Sequence, residues 1–141
     1  MTQEERQLLL IDISARLPYG VHVHFCNTNI DEKLTEISLG ETITQIRHNG
    51  KGNQGLILPY LRPMSSLTEE ENKTIDNISN KNKGFEEDED GWIRCDSIHT
   101  KWGVWPDGCA KLLDYLNSIH IDYRGLIEKG LALEAPENMY V

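Results

Sequence analysis

The chain has 141 residues, which is long enough to bury a core as one domain without disulfide or metal staples. It carries 23 acidic against 14 basic residues, and the resulting net charge of −9 disfavours duplex nucleic acid as a main partner. No apolar stretch suits a signal peptide or a membrane span, and Cys26, Cys95 and Cys109 are too widely spaced for a disulfide framework. These features predict a cytoplasmic protein with no membrane partner and no cofactor.

The first predicted element is a helix over about residues 3–16. Thr2 and Glu5 have the spacing of a capping box, which marks a helix start. Apolar residues then recur at intervals of four from Leu9 to Leu17, as on one face of a helix. We expect this face to pack against the rest of the domain.

Short apolar runs separated by turn residues predict a sheet after this helix. Strands are expected over 21–25, 34–39, 42–47, 56–58 and 92–95. Pro59 and Pro63 lack a ladder donor, so the segment 59–63 is expected to leave the sheet as an extended strap. The predicted class is α+β, with a small antiparallel sheet that is either open or curled into a half-open barrel.

The rest of the chain is predicted to be mainly helical and to pack on the sheet. Helices are expected from Ser66 or Thr68 to about Asn80, from Pro106 onward, and from Asp122 to Gly130. We expect a single domain over 1–141, in which 1–63 form the first helix and the sheet, 64–80 a surface helix, 81–91 an acidic mobile loop, and 92–141 the C-terminal helical part and tail.

Three ligand-type side chains alternate along the first predicted strand. His22, His24 and Cys26 share one strand face and make a weak candidate metal site that still needs a fourth ligand or water. The alternative is that they are polar residues on a solvent-facing surface. No nucleophile elbow or phosphate-binding glycine loop is present, so we predict no catalytic residue.

Aromatic rings close to arginines form the second candidate site. A ring can stack on a base while a guanidinium binds a phosphate in bidentate fashion. The alternative is that the rings fill the core and that Arg124 ties a capped helix start to its neighbour. The candidate ligand-binding residues are Tyr60, Arg62, Trp92, Arg94, Trp102, Trp105, Tyr123 and Arg124.

Three stretches carry a resemblance to known proteins. They are PYLRPMSS at the start of 59–71, DYRGLIEKGLALEAP at the end of 116–136, and the opening over 9–21. In these stretches the chain resembles small uncharacterised proteins of gut Bacteroidales, their prophages and their phages. The resemblance implies a bacterial host cell and an accessory role, often one that blocks host defences, and it implies no catalytic residue.

Non-catalytic binding is therefore the function that we predict. The first hypothesis is an anti-defence factor that sequesters a nucleotide-like small molecule in a local basic pocket. The second is an inhibitor or adaptor whose acidic run Glu86–Asp90 engages a basic host protein. A small hydrolase or a metal-binding protein is the third. The oligomeric state is left open.

Overall fold

The computed structural model describes residues 1–39, 46–48, 57–80, 86–87, 93–95, 98–100 and 106–140, with side chains over 1–37, 57–78 and 110–140. The helices are α1 (Gln3–Arg16), α2 (Glu69–Asn80) and α3 (Pro106–Ser118). The strands are β1 (His22–Phe25), β2 (Ile30–Lys33), β3 (Ile37–Leu39), β4 (Ile46–His48), β5 (Ile57–Leu61), β6 (Glu86–Glu87), β7 (Ile93–Cys95), β8 (Ile98–Thr100) and β9 (Leu133–Glu134). The α+β class is confirmed.

The chain divides into two compact units, Met1–Ser66 with Asn117–Val141, and Leu67–Leu116. No helix in the described part of the chain is both long enough and apolar enough to cross a membrane.

Helix α1 begins and ends where its sequence predicts. The Thr2 hydroxyl accepts from the Glu5 N–H at 3.1 Å, and the Glu5 carboxylate accepts from the Thr2 N–H at 2.8 Å, which completes the capping box. A turn of 3-10 helix follows and closes at Gly20, whose φ is 71°. This positive φ favours glycine, whereas the atoms that a Cβ would meet belong to the end of the flexible Lys33 side chain, which can move aside.

The first unit contains an open four-stranded sheet in the order β2-β1-β5-β9. Strand β1 pairs antiparallel with β2 and β5, whereas β9 runs parallel to β5. The sheet does not curl into the half-open barrel that was one of the two predictions. Strands β3 and β4 form a separate antiparallel pair.

Strand β2 lies where no strand is predicted. Its sequence, Ile-Asp-Glu-Lys, has three charged residues and no alternating apolar pattern. It forms because the turn after Phe25 folds the chain back, so that Phe25 faces Ile30 and His22 faces Lys33. Charged side chains are tolerated there because β2 is the edge strand of this sheet.

The prediction that β5 ends before Pro59 is wrong. Strand β5 continues to Leu61 between two partner strands, and Pro59 lies opposite Val23. On its other side, β5 pairs with β9 only at Tyr60 and Leu61. The hydrogen-bond ladder there begins just after Pro59, which has no N–H to donate. The segment expected to be a strap is thus the centre of the sheet.

Main-chain hydrogen bonds join the end of β5 to the C-terminal segment. The Arg62 N–H donates to the His120 carbonyl at 2.8 Å, and the Asp122 N–H donates to the Arg62 carbonyl at 2.8 Å. Arg62 and Ile121 thereby form a parallel bridge. The stretches 59–71 and 116–136 therefore meet at this bridge.

Asp122 caps the following segment, but that segment is not the helix predicted from Asp122 to Gly130. The two Asp122 carboxylate oxygens accept the N–H groups of Leu126 and Ile127, at 2.8 Å and 2.9 Å. The chain then proceeds through turns and closes at Gly130, whose φ is 72°. Bonding to side-chain oxygens substitutes here for the helical ladder.

The core of the first unit lies between α1, the sheet and the capped C-terminal segment. Strand β1 alternates as predicted, with Val23 and Phe25 buried and His22 and His24 half-buried. The buried apolar cluster comprises Leu9, Ile13, Val21, Val23, Phe25, Leu34, Ile57, Leu61, Leu126, Leu131 and Ala132.

The second unit contains α2 and a short three-stranded antiparallel sheet in the order β6-β7-β8. Thr68 and Glu71 cap each other at 2.9 Å and 3.1 Å, which decides between the two predicted helix starts. Within the predicted mobile loop, Glu86 and Glu87 form β6 and face Arg94 and Ile93. The rest of that loop lies outside the described residues.

Tyr140 completes the main-chain bonding between β1 and β5. Their ladder runs from Phe25–Ile57 to Val23–Pro59. Beyond it, the Tyr140 hydroxyl accepts from the His22 N–H at 2.9 Å and donates to the Tyr60 carbonyl at 2.7 Å. One phenol therefore satisfies a donor and an acceptor on two neighbouring strands.

Replacing this phenol with a ring alone tests its role. Tyr140→Phe leaves one N–H and one carbonyl without their partner, so we expect a loss of about 1–3 kcal/mol in the free energy of unfolding. The matched control is Tyr19→Phe, because Tyr19 is 38% exposed. Urea unfolding measures both variants, and equal stabilities would contradict the assigned role.

Candidate functional site

Two clusters of polar side chains lie in the first unit. We call Asp12, Arg16, Tyr123 and Arg124 the arginine cluster, because two guanidinium groups share one carboxylate there. We call His22, His24, Asp31 and Tyr60 the sheet-face cluster, because its members come from β1, β2 and β5.

The arginine cluster is built on a buried ion pair within α1. Asp12 and Arg16 are one helical turn apart, and both side chains are 0% exposed. Arg16 Nε donates to Asp12 Oδ2 at 2.9 Å, and Arg16 Nη2 donates to Asp12 Oδ1 at 3.1 Å. The same Nη2 donates to the Ile121 carbonyl at 2.7 Å, which ties α1 to the C-terminal segment.

Tyr123 and Arg124 add a ring and a second guanidinium. The Tyr123 ring centre lies 5.2 Å from the Arg16 guanidinium carbon and 5.1 Å from that of Arg124. The Tyr123 hydroxyl donates to Asn117 Oδ1 at 2.8 Å. The ring is therefore held close to two cationic side chains.

The carboxylate of Asp12 does not fully neutralise both arginines. Arg16 occupies both of its oxygens, and Arg124 Nε approaches Oδ1 at 3.2 Å without hydrogen-bond geometry. Arg16 Nη1 is also buried without a hydrogen-bond partner. Counting these side chains alone, the cluster carries one positive charge more than negative charge.

His120 is a buried imidazole close to Arg16. Burial lowers the pKa of His120 to about 4, and the charges of Arg16, His22 and Arg62 add to this effect. Its Nδ1 is buried without a partner, and its backbone has φ 60°. The imidazole stacks on the Tyr140 ring with 3.7 Å between centroids.

The sheet-face cluster centres on Asp31. Its Oδ1 lies 2.6 Å from His24 Nδ1 and accepts the Tyr60 hydroxyl at 2.9 Å. Hydrogen bonds from His24 and then Tyr60 lower the pKa of Asp31. Burial, followed by the bond to Asp31, raises the pKa of Tyr60. An ionised Asp31 only accepts, so the proton on His24 lies at Nδ1 and Nε2 is left as a lone-pair donor.

His22 begins β1, and Cys26 directly follows the end of β1. The His22 ring makes an edge contact with Tyr140, with 5.4 Å between centroids. Cys26 is exposed in the turn after β1, and partial burial of its thiol raises its pKa. A protonated thiol is a poor nucleophile and metal ligand.

Of the four candidate ligand-binding residues with described side chains, Tyr123 and Arg124 contact each other, whereas Tyr60 and Arg62 have other partners. Tyr60 binds Asp31, whereas Tyr123 and Arg124 belong to the arginine cluster. Arg62 donates to the carbonyls of Ile119 at 3.3 Å and Ser66 at 3.0 Å. Arg124 does reach a carboxylate, which is that of Asp12 on α1. Four other predicted site residues, Trp92, Trp102, Trp105 and the side chain of Arg94, lie outside the described residues.

Among the residues that the structure describes, no three His, Cys, Asp or Glu side chains form a group that could hold a metal ion. His22, His24 and Cys26 therefore do not form a three-ligand site as they stand. The side chains of His48, His99, Cys95 and Cys109 lie outside the described residues.

Sequence reasoning missed Asp12, Arg16 and Asp31. A signal for the first two exists, because Leu9, Asp12, Ile13 and Arg16 have the i, i+3, i+4, i+7 spacing of one helix face. That spacing indicates a charge pair within the buried stripe. No comparable signal indicates Asp31, because its contact with His24 depends on the β1–β2 register.

No protein-family model matches the chain, and no significant match is found among curated proteins or solved structures.

The buried carboxylate of Asp12 allows a direct test of the arginine cluster. Asp12→Asn keeps the shape but leaves guanidinium charge buried, so we expect a loss of about 3–5 kcal/mol in unfolding free energy. Arg124→Gln should cost less, because the Arg124 side chain is 28% exposed. The control Asp114→Asn lies at an exposed position on α3, and its unfolding free energy should stay within about 0.5 kcal/mol of that of the unaltered protein. A small Asp12→Asn effect would show that this ion pair does not stabilise the fold.

The depressed pKa of His120 predicts a pH dependence of stability. Its folded pKa of about 4 lies below the ordinary value of 6.5, so the unfolded chain takes up the proton first on acidification. Stability should fall as the pH drops from 6.5 to 4, by at most about 1.4 kcal/mol per pH unit for one proton.

His120→Asn isolates this contribution, because asparagine tolerates a positive φ. We expect the variant to show a flatter dependence of stability over that pH range in chemical unfolding. Identical slopes would contradict the assignment.

Proposed function

We propose that the protein is a non-catalytic binding protein for a small anionic, nucleotide-like ligand. In this proposal it acts as an accessory factor of a phage or mobile element inside a bacterial cell, and it sequesters the ligand. The cellular context rests on the resemblance of its three sequence stretches. The chemistry rests on the arginine cluster.

The incompletely neutralised charge of Arg124 carries the proposal. Among the residues that the structure describes, its carboxylate contact is with Asp12, whose two oxygens already accept from Arg16. The side chain is 28% exposed, so an anion from solvent can approach it. In a protein of net charge −9, a site with surplus positive charge gives an anion a local attraction that the whole surface does not.

Tyr123 supplies the second element of recognition. Its ring lies beside Arg124, and the bond from its hydroxyl to Asn117 restricts its movement. A guanidinium binds a phosphate through two parallel hydrogen bonds, and an adjacent ring offers a surface to a base. The combination favours a phosphorylated planar ligand over a simple anion.

A depletion assay tests the proposal. The protein is incubated with cyclic mono-, di- and trinucleotides, and the ligand remaining free and the ligand released on heating are measured by chromatography. We expect depletion of at least one nucleotide and its recovery intact. Recovery of a cleaved product would indicate catalysis, and depletion of none would contradict sequestration.

Matched variants locate the site. Arg124→Gln should weaken binding at least tenfold, which corresponds to about 1.4 kcal/mol. The affinity of Arg124→Lys should lie between those of Arg124→Gln and the unaltered protein, because lysine keeps the charge but cannot form two parallel hydrogen bonds. The control Arg6→Gln removes an exposed arginine from α1 and should bind like the unaltered protein. Unchanged binding by folded Arg124→Gln would exclude the arginine cluster.

A further inference from the structure

The sheet-face cluster places two imidazoles on one side of the same strand. His22 and His24 are alternate residues of β1, and both are half-buried, whereas Val23 between them points into the core. Alternate strand residues are about 6.6 Å apart. Two imidazoles at that spacing can each bring a nitrogen to about 2.1 Å from one ion.

Asp31 prepares one of these imidazoles for metal binding. Its carboxylate lies 2.6 Å from His24 Nδ1, which leaves Nε2 as the nitrogen with a lone pair. The Tyr60 hydroxyl donates to the same carboxylate oxygen at 2.9 Å and so restricts its position. Metal-binding histidines commonly have such a carboxylate on the nitrogen remote from the metal.

The His22 ring is also available to coordinate a metal ion, as far as the described part of the chain shows. Its ring packs edge-on against Tyr140, and its backbone N–H, not its ring, binds the Tyr140 hydroxyl. No described residue forms a hydrogen bond with its ring nitrogens.

We propose that His22 and His24 bind one divalent transition-metal ion of the Zn²⁺ type, with Asp31 as the positioning residue of His24. Because no described group offers three ligands, water completes the coordination shell. Such a site is exchangeable and open to an added ligand, unlike a closed structural zinc site. The proposal is independent of anion binding at the arginine cluster.

Calorimetric titration of the metal-free protein with Zn²⁺ measures its affinity for the ion and tests the site. We expect His22→Gln and His24→Gln each to lower the affinity at least tenfold. Asp31→Asn keeps an oxygen that can accept from His24 but removes its charge, and should lower the affinity about 10–100-fold. Affinity should fall at acidic pH, because protons compete for the imidazole nitrogens.

Two controls separate this site from other ligands. The double variant His48→Ala, His99→Ala removes imidazoles elsewhere in the chain and should leave the affinity unchanged. Cys26→Ser should also leave it unchanged, because the proposed pair does not use the thiol. Loss of binding in either control, with binding retained in His24→Gln, would overturn the proposal.

A spectroscopic measurement on the unaltered protein does not depend on the folding of any variant. In imidazole nitrogen NMR, Zn²⁺ should shift His24 Nε2 and leave Nδ1 protonated. Zinc coordination through His24 Nδ1, or no zinc-dependent shift in His22 and His24, would overturn the proposal.

Discussion

The buried ion pair between Asp12 and Arg16 is the constraint on which the first unit depends. Two charges without water contact depend on partners within the fold, and Asp12 accepts twice from Arg16. Arg16 then needs a further acceptor, which is the Ile121 carbonyl. The pair therefore does more than link two turns of α1. It sets where the C-terminal segment lies against that helix, and it places Arg124 beside Asp12.

Strand β5 and its extension at Arg62 provide the second connection to that segment. The same few residues pair with β1, with β9 and with Ile121. This explains why a proline-containing stretch can lie at the centre of a sheet. The stretches 9–21, 59–71 and 116–136 all contribute to this frame, since they contain Arg16, Arg62 and Arg124 respectively. A structural role for these residues is compatible with binding, because Arg124 remains partly exposed.

The two clusters have opposite electrostatic character. The arginine cluster has surplus positive charge and suits an anion, whereas the sheet-face cluster has an ionised carboxylate behind a half-buried imidazole and suits a cation. Tyr140 borders the sheet-face cluster and bridges β1 and β5 through one hydroxyl. Burial raises the pKa of that hydroxyl to about 12, so it stays a neutral donor and acceptor at physiological pH. The position of the sheet-face cluster thus depends on Tyr140, which lies far along the chain from β1.

The sequence by itself determined α1 with its capping box, the alternating faces of β1 and the start of α3. Each of these follows from residues a few positions apart, whose caps and periodicity act locally. Only the tertiary structure decided that Pro59 lies in a central strand, that the charged segment Ile30–Lys33 is an edge strand, and that turns replace the last helix. Register also brought Asp31 to His24, and packing brought Arg16 to a carbonyl 105 residues away. The physical reason is that a buried polar group binds whichever partner the fold brings within reach, and neither composition nor periodicity identifies a partner so distant in sequence.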